Sequence, residues 1–197
     1  YGPPGTGKTL AATLLGKKNN MDVYRIDLSM IVSKYIGETE KNLAKVFDLA
    51  ENRNWILFFD EADALFGKRT STNTSNDRHA NQEVAYLLQR IEDFPGMVIL
   101  ATNLRSNIDE AFSRRFQSVI YFPMPTEELR AEIWRKILKG WPKDVDEDLI
   151  TMAARTELSG GSIANVVRRC ALATVNQKNQ SLDKLILKNA LQKEKLK

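Results

Sequence analysis

Apolar residues along the chain fall into two alternating patterns. Four short runs are almost continuously apolar: Met21 to Asp27 (MDVYRID), Trp55 to Asp60 (WILFFD), Met97 to Asn103 (MVILATN) and Ser118 to Phe122 (SVIYF). Runs of this length predict strands buried on both faces. Between them the apolar positions return every three or four residues, at Leu43, Val46, Phe47 and Ala50 and again at Val84, Leu87, Leu88 and Ile91. That period predicts helices with one inward face. Strand and helix in alternation predict an α/β chain whose parallel sheet is covered by helices on both faces.

After Pro123 the pattern changes. PTEELRAEIWRKILKG predicts a helix with Thr126 as its cap, acids in its first turn and a glycine beyond its end. WPKDVD follows as a linker, and from Asp146 onward only helical spacing remains. The inward positions there are Leu149, Ile150 and Ala153, then Ile163, Val166, Val167 and Cys170, then Leu182, Leu185, Ile186 and Leu191. Two domains are therefore expected, an α/β domain over residues 1–140 and a small all-helical domain over 145–197.

Composition narrows the class. The 197 residues are 43% hydrophobic and 27% charged, which suits a globular chain with a real core. The longest apolar run, WILFF, is far too short to cross a bilayer, so no membrane segment is expected. A single cysteine, Cys170, excludes an internal disulfide and fits a reducing, cytoplasmic setting. The net charge of +4 is mild. Six lysines between Lys178 and Lys197 supply much of the excess, and no aromatic interleaves with them. A solvated helix face explains them better than a nucleic-acid patch.

The chemistry is concentrated at strand ends. GPPGTGKT, Gly2 to Thr9, has the spacing of a phosphate loop: glycine, four residues, then glycine, lysine and a hydroxyl residue. Its glycines let backbone N–H groups turn inward as an anion nest at a helix N-terminus. Lys8 adds a point charge for the outer phosphates, and the Thr9 hydroxyl suits a Mg2+ position. Such a loop lies between a strand and a helix, so a first strand is expected before Tyr1. In ILFFDEAD an apolar strand ends in Asp60 and Glu61, where strand tips meet phosphates in open α/β sheets. Asp60 suits a ligand to metal-bound water, and Glu61 a group that orients or deprotonates an attacking water. Asn103 ends the next run and offers an amide to that water or to a γ-phosphate oxygen, although an asparagine there also serves as a plain turn residue.

GPPGTGKT, FFDEAD, ATN and DEAFSRRF, in this order and spacing, resemble the AAA family of ATPases over nearly the whole chain. The resemblance implies an ATP- and Mg2+-binding α/β domain with a helical lid, working as a ring, usually a hexamer. It assigns Gly2, Pro3, Pro4, Gly5, Thr6, Gly7, Lys8, Thr9 and Leu10 to the ATP/ADP-binding Walker A segment. Asp60 and Glu61 fall to Walker B and Asn103 to sensor 1. AFSRRFQSVIYFPMP is most similar to the katanin and spastin subgroup, which implies that Arg114 and Arg115 are arginine fingers reaching a neighbouring subunit's nucleotide. Read without the family, that pair is surface charge. LSGGSIANVV resembles the lid segment of the AAA clade, implying that Gly161 and Ser162 approach the adenosine. No arginine stands early on that helix, whereas Arg168 and Arg169 come later, unlike clamp loaders.

SKYIGETE sets an aromatic and an isoleucine against a glycine in a polar segment. It is similar to the family's first pore loop, in which Lys34, Tyr35, Ile36 and Gly37 would grip an extended polypeptide; the bland alternative is that Tyr35 caps the sheet edge. His79, the sole histidine, is a poor metal site alone, and the segment around Arg78 resembles a second pore-facing loop. SNDRHANQEVAYLLQRIEDFPG is similar to AAA proteins that accompany contractile injection particles. The function expected is protein remodelling driven by ATP hydrolysis. An ATPase acting on nucleic acid and a slow nucleotide-dependent assembly partner are the alternatives.

Overall fold

A computed structural model describes residues 1–28, 38–62, 85–103, 115–175 and 181–196, with residues 38–40 by backbone alone. The chain divides into two compact units, one of Tyr1–Gly2 with Lys8–Tyr121 and one of Pro3–Gly7 with Phe122–Lys197.

In the first unit β1 (Asp22–Asp27), β2 (Trp55–Asp60) and β3 (Met97–Leu100) form a parallel sheet in the order β1-β2-β3. Asp27 stands opposite Asp60, and Phe59 opposite Leu100, so the three C-terminal ends lie together along one edge. Because β2 is the middle strand, all four of its residues from Ile56 to Phe59 are buried. On one face Leu57 and Phe59 pack with Leu43, Phe47 and Ala50 of α2 (Glu38–Glu51) and with Leu87 and Leu88 of α3 (residues 85–93). The Phe47 ring sits 6.0 Å from that of Phe59 and 5.6 Å from that of Phe94. On the other face Phe58 packs with Ala12 of α1 (Lys8–Asn19) and with Ala101. The predicted α/β sheet, helical on both faces, is therefore present. Helix α1 ends at Asn19, and the φ of 53° at Asn20 lets Met21 N donate back to Gly16 O at 2.9 Å.

The fourth predicted strand does not form. Residues 118–122 are not assigned to a strand, and Val119, Ile120 and Tyr121 are each more than half exposed. An apolar run becomes a strand only through a ladder of backbone hydrogen bonds. Here the Tyr1 nitrogen donates to Ile120 O at 2.8 Å, and the Tyr1 and Tyr121 rings stack at 5.0 Å.

Among its described residues the second unit holds four helices, α4 (Glu127–Leu138), α5 (Glu147–Ala154), α6 (Gly160–Thr174) and α7 (Lys184–Lys195). Thr126, Asp146, Ser159 and Asp183 cap them, each side chain accepting from an N–H in the first turn. The core joins Trp134, Ile150, Ala153, Ile163, Val166, Cys170, Leu187 and Leu191. Helix α4 shares this core, and its buried Arg130 donates to Pro125 O at 2.7 Å and to Ala154 O at 2.6 Å. The expected inward position Leu185 is wrong, since it is 68% exposed. With α7 started at Lys184 by its Asp183 cap, the inward stripe runs through Leu187, Ala190 and Leu191 instead. Among the described residues no helix is long and apolar enough to cross a membrane.

Candidate nucleotide site

The C-terminal ends of β2 and β3 and the first turn of α1 bring four expected side chains together. Lys8 Nζ donates to Gly2 O at 2.7 Å and to Asn103 Oδ1 at 2.8 Å, across 95 residues of chain. Thr9 Oγ1 donates to Asp60 Oδ2 at 3.3 Å. Gly2 N donates to Thr102 O at 3.2 Å, which fixes the chain's entry to the loop beside the end of β3. Parallel strands explain the convergence, because they deliver every strand end to the same edge.

Glu61 is held differently. Its φ is 53°, a left-handed conformation that costs a non-glycine residue about 1–2 kcal/mol. The flanking backbone enforces it: Ala101 N donates to Phe59 O at 2.8 Å and Ala62 N donates to Ala101 O at 2.9 Å. Glu61 N also donates to Asp60 Oδ1 at 3.0 Å, fixing the carboxylate of Asp60 while the Glu61 side chain stays exposed. Two acids in sequence thus take two environments, a nearly buried Asp60 and an exposed Glu61 at a strained turn.

The loop residues Pro3–Gly7 form contacts within the second unit. Gly5 has a φ of 75° and Gly7 a φ of 101°, conformations open to glycine at no steric cost. Thr6 Oγ1 donates to Pro3 O at 2.8 Å and tightens the turn. Gly161 N, in the first turn of α6, donates to Gly5 O at 2.9 Å. A Cβ on Gly161 would sit 3.1 Å from Gly5 Cα, so the helix start and the loop meet backbone to backbone. Ser159 Oγ accepts from Ser162 N at 3.3 Å. Gly161 and Ser162 therefore stand at the loop itself, Gly161 by direct contact and Ser162 through the cap.

Arg115 Nε lies 3.1 Å from Glu92 Oε1, both side chains about half exposed. Leu10 is 62% exposed on α1. Sequence reading missed Arg25, whose Nη2 lies 2.7 Å from Asp60 Oδ2. Its place on a strand carries no motif; only the in-register pairing of β1 with β2 reveals it. Arg114, Arg78, His79 and the segment Lys34, Tyr35, Ile36 and Gly37 lie outside the described residues.

Residues 1–124 match the family model described as the ATPase family associated with various cellular activities (AAA). The chain is 36% identical over 183 residues to the ATPase family gene 2 protein of Schizosaccharomyces pombe, covering 90% of the chain and 23% of that protein. It is 34% identical to vacuolar protein sorting-associated protein 4A of Homo sapiens, over 90% of the chain and 42% of the relative. It is 33% identical to the proteasome-activating nucleotidase of Archaeoglobus fulgidus, over 98% of the chain and 50% of the relative. The chain thus spans from about a quarter to half of the length of these relatives. With more than half of its residues matched to the family model, and with the lysine, threonine, aspartate and asparagine of the motifs gathered at one sheet edge, the chain belongs to the AAA family of ATPases.

Proposed function

We propose that this chain binds ATP with Mg2+, hydrolyses it, and works within a hexameric ring of subunits that remodels a protein client. One observation carries the reading: Lys8 meets Asn103, and Thr9 meets Asp60, at the shared end of adjacent parallel strands. The glycine loop offers its inward N–H groups to the phosphates, and Lys8 Nζ, held beside Gly2 O and Asn103 Oδ1, supplies a positive charge. A hydroxyl and a carboxylate are hard oxygen donors that fit Mg2+, with Thr9 and Asp60 holding it directly or through water. When bound, that ion neutralises charge on the transferring phosphoryl group. Glu61, exposed beside Asp60, orients and deprotonates the attacking water, and Asn103 steadies that water or a γ-phosphate oxygen. Gly161 and Ser162 border the nucleotide from the start of α6. Arg114 and Arg115 act in trans on a neighbour's nucleotide; the exposed Arg115–Glu92 pair is the kind that releases at little cost.

Two relatives, a proteasome-activating nucleotidase and a vacuolar protein sorting-associated protein, support a protein client rather than a nucleic acid. Lys34, Tyr35, Ile36 and Gly37 are the segment proposed to grip it. The reading is tested by two variants with separate consequences. Lys8→Ala should abolish ATP binding in a fluorescent-nucleotide titration. Glu61→Gln should bind ATP as the wild type does and stop phosphate release. Equal loss of ATP affinity in both variants would overturn the separation of roles.

A further inference from the structure

Arg25 stands on β1, one strand across from Asp60. The parallel register pairs Arg25 with Phe58 and Asp27 with Asp60, so Arg25, Phe58 and Asp60 share a face of the sheet. It is the face on which Phe58 packs against Ala12 of α1. Arg25 lines a cleft of about 350 Å³ there, together with Thr9, Thr13 and Phe58. Its Nη2 lies 2.7 Å from Asp60 Oδ2, the same oxygen that accepts the Thr9 hydroxyl at 3.3 Å. The two partners are unequal: the Arg25 side chain is 59% exposed and that of Asp60 14%.

We propose that Arg25 competes with Mg2+ for Asp60 and so sets the metal requirement of the nucleotide site. The inference rests on the reading above, in which Thr9 and Asp60 serve the metal. A guanidinium and a divalent cation drawn to one carboxylate oxygen repel each other, and the repulsion scales with the product of their charges. Asp60, fixed by Glu61 N and nearly buried, cannot turn away to serve both. Arg25, exposed on a long stem, can leave at small cost. The guanidinium therefore keeps the carboxylate compensated and yields it as the metal concentration rises. Arg25 is a positioning residue acting through Asp60, and no role is assigned to it at the nucleotide itself.

The test is binding rather than turnover. A fluorescent ADP is titrated into the wild type, Arg25→Ala and Arg25→Lys, first in EDTA and then at graded MgCl2. In EDTA the three affinities should agree within about twofold. The Mg2+ concentration giving half of its effect on ADP affinity should fall about three- to tenfold in Arg25→Ala and less in Arg25→Lys, which retains the charge without the fork. Arg25→Gln keeps most of the stem, loses the charge, and should reproduce the alanine shift even if Arg25→Ala folds poorly. Superimposed Mg2+ curves for all variants would overturn the proposal. A raised Mg2+ requirement would also overturn it, by making Arg25 an orienter of Asp60 for the metal. A wild type whose ADP binding ignores Mg2+ would overturn the underlying reading of Thr9 and Asp60 as well.

Discussion

Replacing Gly5 by alanine should damage the phosphate loop through two separable terms. Gly5 has a φ of 75°, and an L-residue placed in the left-handed region loses about 1–2 kcal/mol. The new Cβ would also run into Ser159 Oγ and approach Gly161 Cα at 3.4 Å. Ser159 is the N-cap of α6, and displacing a serine cap costs about 1 kcal/mol. The sum is about 2–3 kcal/mol, which for a chain of this size lowers the melting temperature by roughly 4–12 °C. Gly7 separates the terms, since its φ is 101° but a Cβ there would meet nothing within 4 Å. Gly7→Ala should therefore show the strain alone, about 1–2 kcal/mol. Gly140 also has open space, without a left-handed φ, so Gly140→Ala should change stability by no more than about 0.5 kcal/mol. Circular-dichroism melts of the three variants give the order Gly5 worst, Gly7 intermediate, Gly140 neutral. Equal losses for Gly5→Ala and Gly7→Ala would refute the contact with Ser159, and a wild-type melt for Gly5→Ala would refute both terms.

Specific ATPase activity should rise with protein concentration as subunits meet, and Arg115→Ala should flatten that rise, with a loss of about a thousandfold at high concentration; activity independent of concentration in both would count against a trans role. Tyr35→Ala should abolish the extra ATP turnover caused by an unfolded protein client while leaving ADP affinity within about twofold of the wild type. A large drop in its melting temperature would return Tyr35 to packing. Burial pushes the Cys170 thiol up to about 11. Its thiolate is then about a thousandth of the population at pH 8, so disulfide reagents should label it roughly a hundredfold more slowly than in denatured chain. Because the folded state holds this proton more tightly, its contribution to stability is intact below about pH 9 and is lost as pH rises toward 11. Labelling of folded chain at the free-thiol rate would contradict this.

What was legible in the sequence was the part that local pattern decides. Trp55 to Asp60 reads as a buried strand because a middle strand must be apolar on both faces, and Ile56 to Phe59 are buried as that requires. The phosphate loop was legible because its glycine spacing is dictated by backbone φ, seen at Gly5 and Gly7. Ser118 to Phe122 has equal apolar character yet forms no strand, because pairing depends on a neighbouring backbone that the run itself does not specify. Leu185 was misplaced for a similar reason. Both Leu185 and Leu187 fit an apolar stripe, and the Asp183 cap sets which of them turns inward. Arg25 was invisible, since its partner Asp60 lies 35 positions away in sequence (60 minus 25) and meets it only through strand register. The contact of Gly161 with Gly5 also escaped notice, although the paired glycines were a hint that two backbones come close.

The most direct measurement is a crystal structure of this chain with Mg2+ and a non-hydrolysable ATP analogue. The account predicts the β- and γ-phosphates over the backbone N–H groups of Gly5 to Thr9. Lys8 Nζ should turn from Gly2 O toward them, and the metal should stand at Thr9 and Asp60. An analogue bound elsewhere, with Lys8 still on Gly2 O and Asn103 Oδ1, would contradict it.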